Sequence, residues 1–183
     1  MNGLNIKRDD AVLVAIDFQE KLLPQIYEKE KLEEAAARLI KGCRVVGVPI
    51  LVTQQYTRGL GPTSEIVSEA LGSFTPIEKT TFSAMKEPAF VKALAGTGRK
   101  TVILSGIEAH ICVQQTALDL IEAGYIVYGA LDCMSSRTIA NKEYGQIRMT
   151  QSGVIVTGYE SVLFDMVVDS KDESFKPISS IVK

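Results

Sequence analysis

Short apolar runs rich in β-branched residues alternate along the chain with longer amphipathic segments. Apolar runs of this kind, bounded by polar turns, are typical of strands buried on both faces, as in a parallel sheet. We therefore predict five such strands and a shorter extended piece as a sixth. The strands lie at 11–17, 48–53, 100–106, 126–132 and 153–158, and the shorter piece lies at 74–79.

The segments between the runs have the apolar spacing of helices, and each reaches a glycine suited to a helix end. These helices are predicted at 30–47, 87–96, 113–124 and 137–153. Thr157 and Glu160 have capping-box spacing, which predicts a last helix over 161–169; only 56–65 is predicted to be a long loop. Alternating strands and helices predict a single α/β domain over 1–183, a parallel sheet of about six strands with helices on both faces.

Composition narrows the function classes. The net charge of -2, with basic residues scattered along the chain, argues against nucleic-acid binding. No run approaches the roughly 20 apolar residues of a membrane span, and the start of the chain has no signal-peptide run. Three cysteines without a CxxC pair favour a reducing compartment. We expect a cytoplasmic protein; an organellar protein whose presequence has been removed is also consistent with the sequence.

Three side chains with chemical potential follow predicted strands. Asp17 closes the first strand, Lys79 closes the short extended piece, and Cys112 lies in the turn after the strand at 100–106. Ligands of open parallel sheets bind outside the carboxyl ends of the strands, so we expect all three at one edge. A thiol in the first turn of a helix is close to the positive end of the helix dipole, which predicts a lowered pKa for Cys112.

Each candidate also has an ordinary structural interpretation. Asp17 suits a turn, Lys79 a solvated surface, and cysteine a buried apolar site, which is the interpretation we give Cys43 and Cys133.

Potential metal ligands and known motifs are scarce in this chain. The single histidine, His110, is close enough in sequence for a Cys–His pair, but a structural hydrogen bond is the more common role. One histidine and unclustered cysteines provide too few zinc ligands, and phosphate-loop and GxSxG motifs are absent, so we predict no metal and no cofactor.

Taken together, the aspartate in "VAIDFQEKLLP", the lysine in "IEKTTFSAM" and the cysteine in "LSGIEAHICVQQTALDL" resemble the isochorismatase-like cysteine hydrolase family. The resemblance covers about 11–168, and "GIEAHICV" is most similar to the isochorismatase domain-containing branch, whose substrates are poorly defined. It implies a three-layer, Rossmann-like α/β/α fold and an Asp–Lys–Cys triad, here Asp17, Lys79 and Cys112.

The resemblance also implies how the triad would work. A cis peptide bond is expected at Ile107-Glu108, and the amides of Glu108 and Cys112 would form an oxyanion hole. The implied reaction is hydrolysis of a small amide-type C–N bond through a thioester, without a cofactor. Four side chains are expected around the substrate pocket: Gln19, Tyr56, Phe82 and His110.

Departures from the family and its diversity leave alternatives. The segment after the second strand, "VTQQYTRGLG", lacks the metal-binding histidines of nicotinamidases, and position 109 is Ala where amidases often have Thr. The alternatives are a vinyl ether hydrolase of the isochorismatase type, a catalytically silent oligomeric scaffold, and a ribonuclease, which the slightly acidic composition disfavours. The family also leads us to expect a homo-oligomer, a dimer or larger, with a small-molecule substrate.

Overall fold

The computed structural model describes residues 5–183; residues 1–4 of the predicted domain lie outside the described part. Its centre is one six-stranded, all-parallel sheet in the order β3-β2-β1-β4-β5-β6, which confirms the α/β fold class. The strands are β1 (Ala11–Ile16), β2 (Ile50–Gln55), β3 (Ile77–Lys79), β4 (Thr101–Gly106), β5 (Ile126–Met134) and β6 (Ile155–Thr157).

Helices connect the strands and follow the last one, and most of them are longer than one turn. They are α1 (Lys29–Val45), α2 (Thr57–Leu60), α3 (Glu65–Leu71), α4 (Pro88–Gly96), α5 (Gln114–Glu122), α6 (Ile139–Gln151), α7 (Tyr159–Val167) and α8 (Phe175–Val182). Short turns of 3-10 helix occupy Leu23–Gln25 and Ala84–Lys86, and a π-helical turn occupies Ala109–Val113. Within residues 5–183, none of the helices has the length and apolar character needed to cross a bilayer.

Every strand pattern produced a strand, but some boundaries differ. β2 starts two residues later than predicted, because Val48 donates its amide to Cys43 and so still belongs to the turn after α1. β3 has only three residues, and β5 continues to Met134. Cys133 therefore lies inside a strand, whereas the predicted strand ended at residue 132.

Two features of the helices were also predicted incorrectly. The capping box is wrong: Gly158 is the cap residue of α7, and the amide of Tyr159 donates to the carboxylate of Asp132, which lies in β5. The helices α2, α3 and α8 were not predicted, and α2 lies inside the segment 56–65 that was expected to be a long loop. Each is short, so its few apolar residues do not form a distinct periodic pattern.

The two sheet faces carry separate helix layers. α1, α3, α7 and α8 cover one face, and α4, α5 and α6 cover the other. β1 shows why its sequence is apolar throughout. Alternate side chains point to opposite faces of a strand: Leu13 and Ala15 enter one core, whereas Val12, Val14 and Ile16 enter the other. All six residues of β1 are fully buried.

The strand order creates a topological switch point between β1 and β4. The chain leaves β1 through α1 on one face and reaches β2, whereas it leaves β4 through α5 on the opposite face and reaches β5. Loops that diverge in this way open a crevice at the carboxyl edge of the sheet, where ligands of such folds bind. The residues that follow β1 and β4 therefore face this crevice.

Candidate active site

Asp17 follows β1 directly and adopts a left-handed backbone conformation, with φ of 54°. Aspartate tolerates this region better than most residues. Its side chain is completely buried and both carboxylate oxygens are used: Oδ1 accepts from Thr53 Oγ1 at 2.7 Å, and Oδ2 accepts from Lys79 Nζ at 2.7 Å. The backbone amide of Asp17 donates to the carbonyl of Thr53. The end of β2 therefore orients the carboxylate.

Lys79 is buried although it ends an edge strand. Its ammonium group donates to Asp17 Oδ2 at 2.7 Å, to Gln55 Oε1 at 2.7 Å and to the carbonyl oxygen of Thr81 at 3.3 Å. These three acceptors match the three hydrogens of an ammonium group. Asp17 and Lys79 thus form a fully buried, hydrogen-bonded ion pair, an arrangement in which each charge depends on the other.

Cys112 lies in the π-helical turn before α5 and is 7 % exposed. Burial has the largest effect on the thiol, and together with the charge of Asp17 it raises the pKa of Cys112 to about 12. The charge of Lys79 acts to lower this pKa. The predicted lowering of this pKa is wrong, because burial of the thiol and the charge of Asp17 together outweigh the effect of Lys79. The same interactions show that the thiol is next to both charged side chains. The structure therefore brings Asp17, Lys79 and Cys112 together.

The turn that carries the thiol needs a glycine before it. Gly106 ends β4 with φ of 134°, and a Cβ atom there would lie 2.2 Å from the carbonyl oxygen of Ile16. The next amide, that of Ile107, donates to this same carbonyl at 3.0 Å. The Ile107-Glu108 peptide bond is cis. β4 and β1 thus approach each other closely where the cysteine turn begins.

Residues that follow β5 hold this turn from the other side. Ala109 donates its amide to the carbonyl of Ser135 at 2.8 Å, and the carboxylate of Glu108 accepts from the backbone and side chain of Arg137. His110 Nδ1 shares a hydrogen bond with Ser136 Oγ at 2.9 Å, so the ring has a structural partner.

The helix α6 packs on the same turn. Gly145 lies so close to it that a Cβ atom would be 2.8 Å from the carbonyl oxygen of Ala109. From the direction of α5, Thr116 Oγ1 donates to the carbonyl of Cys112 at 2.7 Å and accepts from the amide of Ala84. Contacts to the backbone on three sides therefore position the cysteine.

The expected pocket residues fall into two groups. Tyr56 and Phe82 are 52 % and 53 % exposed, and each follows a residue that contacts Lys79. Gln19 is fully buried, and its place in the substrate pocket stays a prediction. Its amide donates to the carbonyl oxygens of Gln55 and Gly61 and accepts from the amide of Gln55. Gln19 therefore ties the loop after β2 to the loop after β1.

Sequence reasoning missed Thr53 and Gln55. Both follow the apolar part of β2, so the rule that selected Asp17, a polar residue at the carboxyl end of a strand, would also have selected them. Within the described residues there is no group of three or more His, Cys, Asp or Glu side chains arranged to hold a metal ion.

Another cleft, of about 320 Å³, lies elsewhere, between α1 and the start of α7. Its charged side chains largely neutralise one another: Lys31 pairs with Glu28, and Arg38 with Glu34. No triad residue lines it. We assign the candidate site by its chemistry, to the crevice between β1 and β4.

The fold and the site define the class: an all-parallel α/β protein with an aspartate, a lysine and a cysteine clustered at its switch point. The family model described as "Isochorismatase domain" matches residues 11–161, and this chain belongs to that family. It is 37% identical over 180 residues to isochorismatase domain-containing protein 1 of Danio rerio. That match covers 98% of this chain and 63% of the relative, so the chain spans less than two thirds of the relative's length.

Two solved structures are similar throughout. The MAR1 ribonuclease of Caenorhabditis elegans has a TM-score of 0.91 and 35% identity, covering 97% of this chain and 92% of its own. The YcaC gene product of Escherichia coli, described as an octameric hydrolase of unknown specificity, has a TM-score of 0.92 and 22% identity, covering 99% of this chain and 92% of its own. The latter similarity shows the fold alone.

Proposed function

We propose that this chain is a cysteine hydrolase that acts on a small amide-type C–N substrate through Asp17, Lys79 and Cys112. One observation carries the proposal: a fully buried Asp17–Lys79 ion pair next to a thiol at the switch point of the sheet. A buried ion pair is costly to desolvate and adds little to stability compared with apolar packing. A catalytic role at the neighbouring thiol is the reason that we infer for the buried ion pair.

In the resting enzyme, Cys112 is a neutral thiol, because its pKa is raised to about 12. The nucleophile is therefore formed only when its proton is transferred. Asp17 is the base that accepts this proton, and Lys79 stabilises the thiolate as it forms. A group that holds its proton until a substrate binds is protected from unwanted oxidation and alkylation.

The thiolate then attacks the carbonyl carbon of the amide. A C–S bond forms, the carbonyl π electrons move to oxygen, and the resulting oxyanion is stabilised by the amides of Glu108 and Cys112. Each donor of this kind contributes about 3 to 4 kcal/mol to lowering the barrier. When the tetrahedral intermediate collapses, the C–N bond breaks and the nitrogen leaves as an amine, with the proton that Asp17 had accepted.

Water completes the cycle. Asp17 accepts a proton from the water as it attacks the thioester, the C–S bond breaks, and the proton returns to the sulfur of Cys112. The products are a carboxylic acid and an amine, and the triad is restored. A small substrate suits the site because Asp17, Lys79 and Cys112 are 0 %, 1 % and 7 % exposed.

The test is ammonia release from a panel of small primary amides by the wild type, Cys112→Ala and Cys112→Ser. We expect both variants to lose at least about a thousandfold in kcat/KM, as when a catalytic nucleophile is removed. Cys43→Ala is the matched control and should keep its activity within about twofold, since Cys43 belongs to the core on the other face of the sheet from Cys112. Unchanged turnover by Cys112→Ala would contradict the proposal.

Other results would support the alternatives. Release of pyruvate from a vinyl ether substrate, without amide turnover, would indicate isochorismatase-type chemistry. Failure with both substrate classes would favour a silent scaffold.

Ribonuclease activity is the second candidate, because the Caenorhabditis elegans relative is named a ribonuclease. The net charge of -2 and the limited exposure of the triad argue against a polyanionic polymer substrate. Incubation with end-labelled RNA at low salt tests this candidate. Cleavage by the wild type that is lost in Cys112→Ala would establish it.

We further propose that the chain forms a homo-oligomer. The support is the octameric YcaC protein and the exposed aromatic side chains Tyr56, Phe82 and Tyr144. Light scattering during size-exclusion chromatography measures the mass directly. A single peak at the 19.9 kDa of one chain would contradict this proposal.

A further inference from the structure

We propose that Gln55 is a positioning residue of the triad. Its neutral side chain accepts one hydrogen bond from Lys79 and leaves the positive charge of Lys79 to Asp17 and Cys112. This inference rests on the proposed function for its catalytic meaning. Its structural basis is independent of any substrate.

The register of the sheet places the two side chains together. Gln55 and Lys79 are directly paired residues of the parallel strands β2 and β3, so their side chains project from the same face. Gln54 points to the opposite face, where its side chain bonds Thr63 and Thr57. Two neighbouring glutamines on one strand therefore have different surroundings.

The orientation of the Gln55 amide is fixed by its contacts. Its Nε2 donates to the carbonyl of Thr80 at 2.8 Å, which leaves Oε1 to accept from Lys79 Nζ at 2.7 Å. The backbone is held as well, because the side chain of Gln19 bonds both the amide and the carbonyl of Gln55. An amide held at both ends presents only its oxygen to the lysine.

The charge balance explains why this acceptor is neutral. At rest, the triad contains one carboxylate, one ammonium and a neutral thiol. After Asp17 takes the thiol proton, it contains a neutral acid, the ammonium and a thiolate, so its net charge is zero in both states. A carboxylate at position 55 would leave the cluster with an extra negative charge and would oppose the thiolate. Gln55 itself is half-buried, but the triad that it faces is buried, so this effect is larger than in water.

Gln55→Glu tests this directly, because it keeps the shape and adds the charge. The rate of Cys112 alkylation by iodoacetamide is measured from pH 6 to 10, with the site of labelling identified by mass spectrometry. We expect alkylation of this variant to be at least about tenfold slower at pH 8, equivalent to a rise of one unit in the pKa of Cys112. Cys43 and Cys133 report on folding, since both are buried and stay unlabelled in the folded protein.

Two controls separate charge from packing. Gln54→Glu adds the same charge on the opposite face of β2 and should change the rate by less than about threefold, because the charge lies farther from the thiol. Gln55→Leu removes the same hydrogen bonds without adding charge and should also stay within about threefold in alkylation. If an amide is turned over, Gln55→Leu should lower kcat at least about tenfold with KM little changed, since Lys79 is then less well held.

The results distinguish the two proposals. Equal slowing by Gln55→Glu and Gln55→Leu, or by Gln55→Glu and Gln54→Glu, would overturn the role of Gln55. If no amide is hydrolysed, the proposed function fails while the alkylation comparison still decides the role of Gln55. If Gln55→Glu does not fold, Gln55→Asp carries the same charge, and the same direction is expected.

Discussion

Cys112 and Cys43 are both buried thiols, and the pKa of each is raised to about 12. The causes differ. For Cys43, inside α1, burial alone raises the pKa, whereas for Cys112 the charge of Asp17 adds to burial and Lys79 opposes both. A resting pKa therefore does not distinguish a nucleophile from a core residue here. What distinguishes them is a neighbour that can accept the proton.

The largest expected effect comes from breaking the ion pair next to Cys112. Lys79→Met leaves the carboxylate of Asp17 buried and unpaired, so we expect the free energy of unfolding to fall by about 3 to 5 kcal/mol. Urea denaturation measures it. Lys31→Met is the control, because Lys31 forms an exposed, solvent-screened pair with Glu28 and should change stability far less. Equal losses in the two variants would show that burial of the Asp17–Lys79 pair has no energetic consequence.

The next effect concerns how each cysteine is held. In Gly145→Ala the new methyl group would meet the backbone of Ala109 at 2.8 Å, and we expect a loss of about 1 to 3 kcal/mol, because backbone cannot move aside. Next to Cys43, Gly42→Ala would meet the side chain of Leu163, which can rotate, so its loss should be smaller. Thermal unfolding ranks the variants.

Gly96→Ala is the control for both glycine variants. No atom lies within 4 Å of its added methyl group, and alanine is the better helix former, so stability should stay the same or rise by up to about 1 kcal/mol. A Gly145→Ala protein as stable as this control would mean that α6 does not hold the cysteine turn.

Asp17→Asn separates thiol acidity from catalysis. The substitution removes a charge that raises the pKa of Cys112 and keeps Lys79, which lowers it, so the pKa should fall. We expect alkylation of Cys112 at pH 8 to be at least about tenfold faster, whereas amide turnover should fall because the base is gone. Labelling of Cys43 should not change. Slower alkylation of Cys112 would contradict the assigned role of the Asp17 charge.

The smallest effect is one that the two cysteines should share. The pKa of Cys43 is about 12 in the folded chain against an ordinary value of 9.0, so its contribution to stability is present below pH 9 and is lost as the pH rises toward 12. By linkage, each such thiol costs about 1.4 kcal/mol between pH 8 and 10. Urea denaturation at the two pH values should therefore show a smaller alkaline loss in Cys43→Ala and in Cys112→Ala than in the wild type. An unchanged loss in Cys43→Ala would contradict the raised pKa.

Much of the architecture could be predicted because it depends on local pattern. β1 is apolar at every position since both of its faces are buried, and that pattern alone indicates a central parallel strand. Short elements were predicted less well. The helix α3 buries only Val67, Ala70 and Leu71, and the start of α7 is capped by Asp132, which is distant in sequence.

The candidate site shows the same division. Asp17, Lys79 and Cys112 were recognisable as polar or reactive residues at strand ends, and the family resemblance linked them. The hydrogen bonds of Gln19 were not predicted, because its amide bonds backbone groups of two loops that only the folded chain brings together. Thr53 and Gln55 acquire their roles from partners that no local pattern identifies.

By itself, the sequence determined the alternation of buried strands and helices, and with it the fold class and the edge of the sheet at which chemistry is concentrated. These properties follow from the periodicity of apolar residues, which each segment carries alone. The tertiary structure decided that β1 and β4 are neighbours, that Lys79 reaches Asp17, and that the pKa of Cys112 is raised and not lowered. Strand order and desolvation depend on contacts between distant segments, so they arise only when the whole chain is folded.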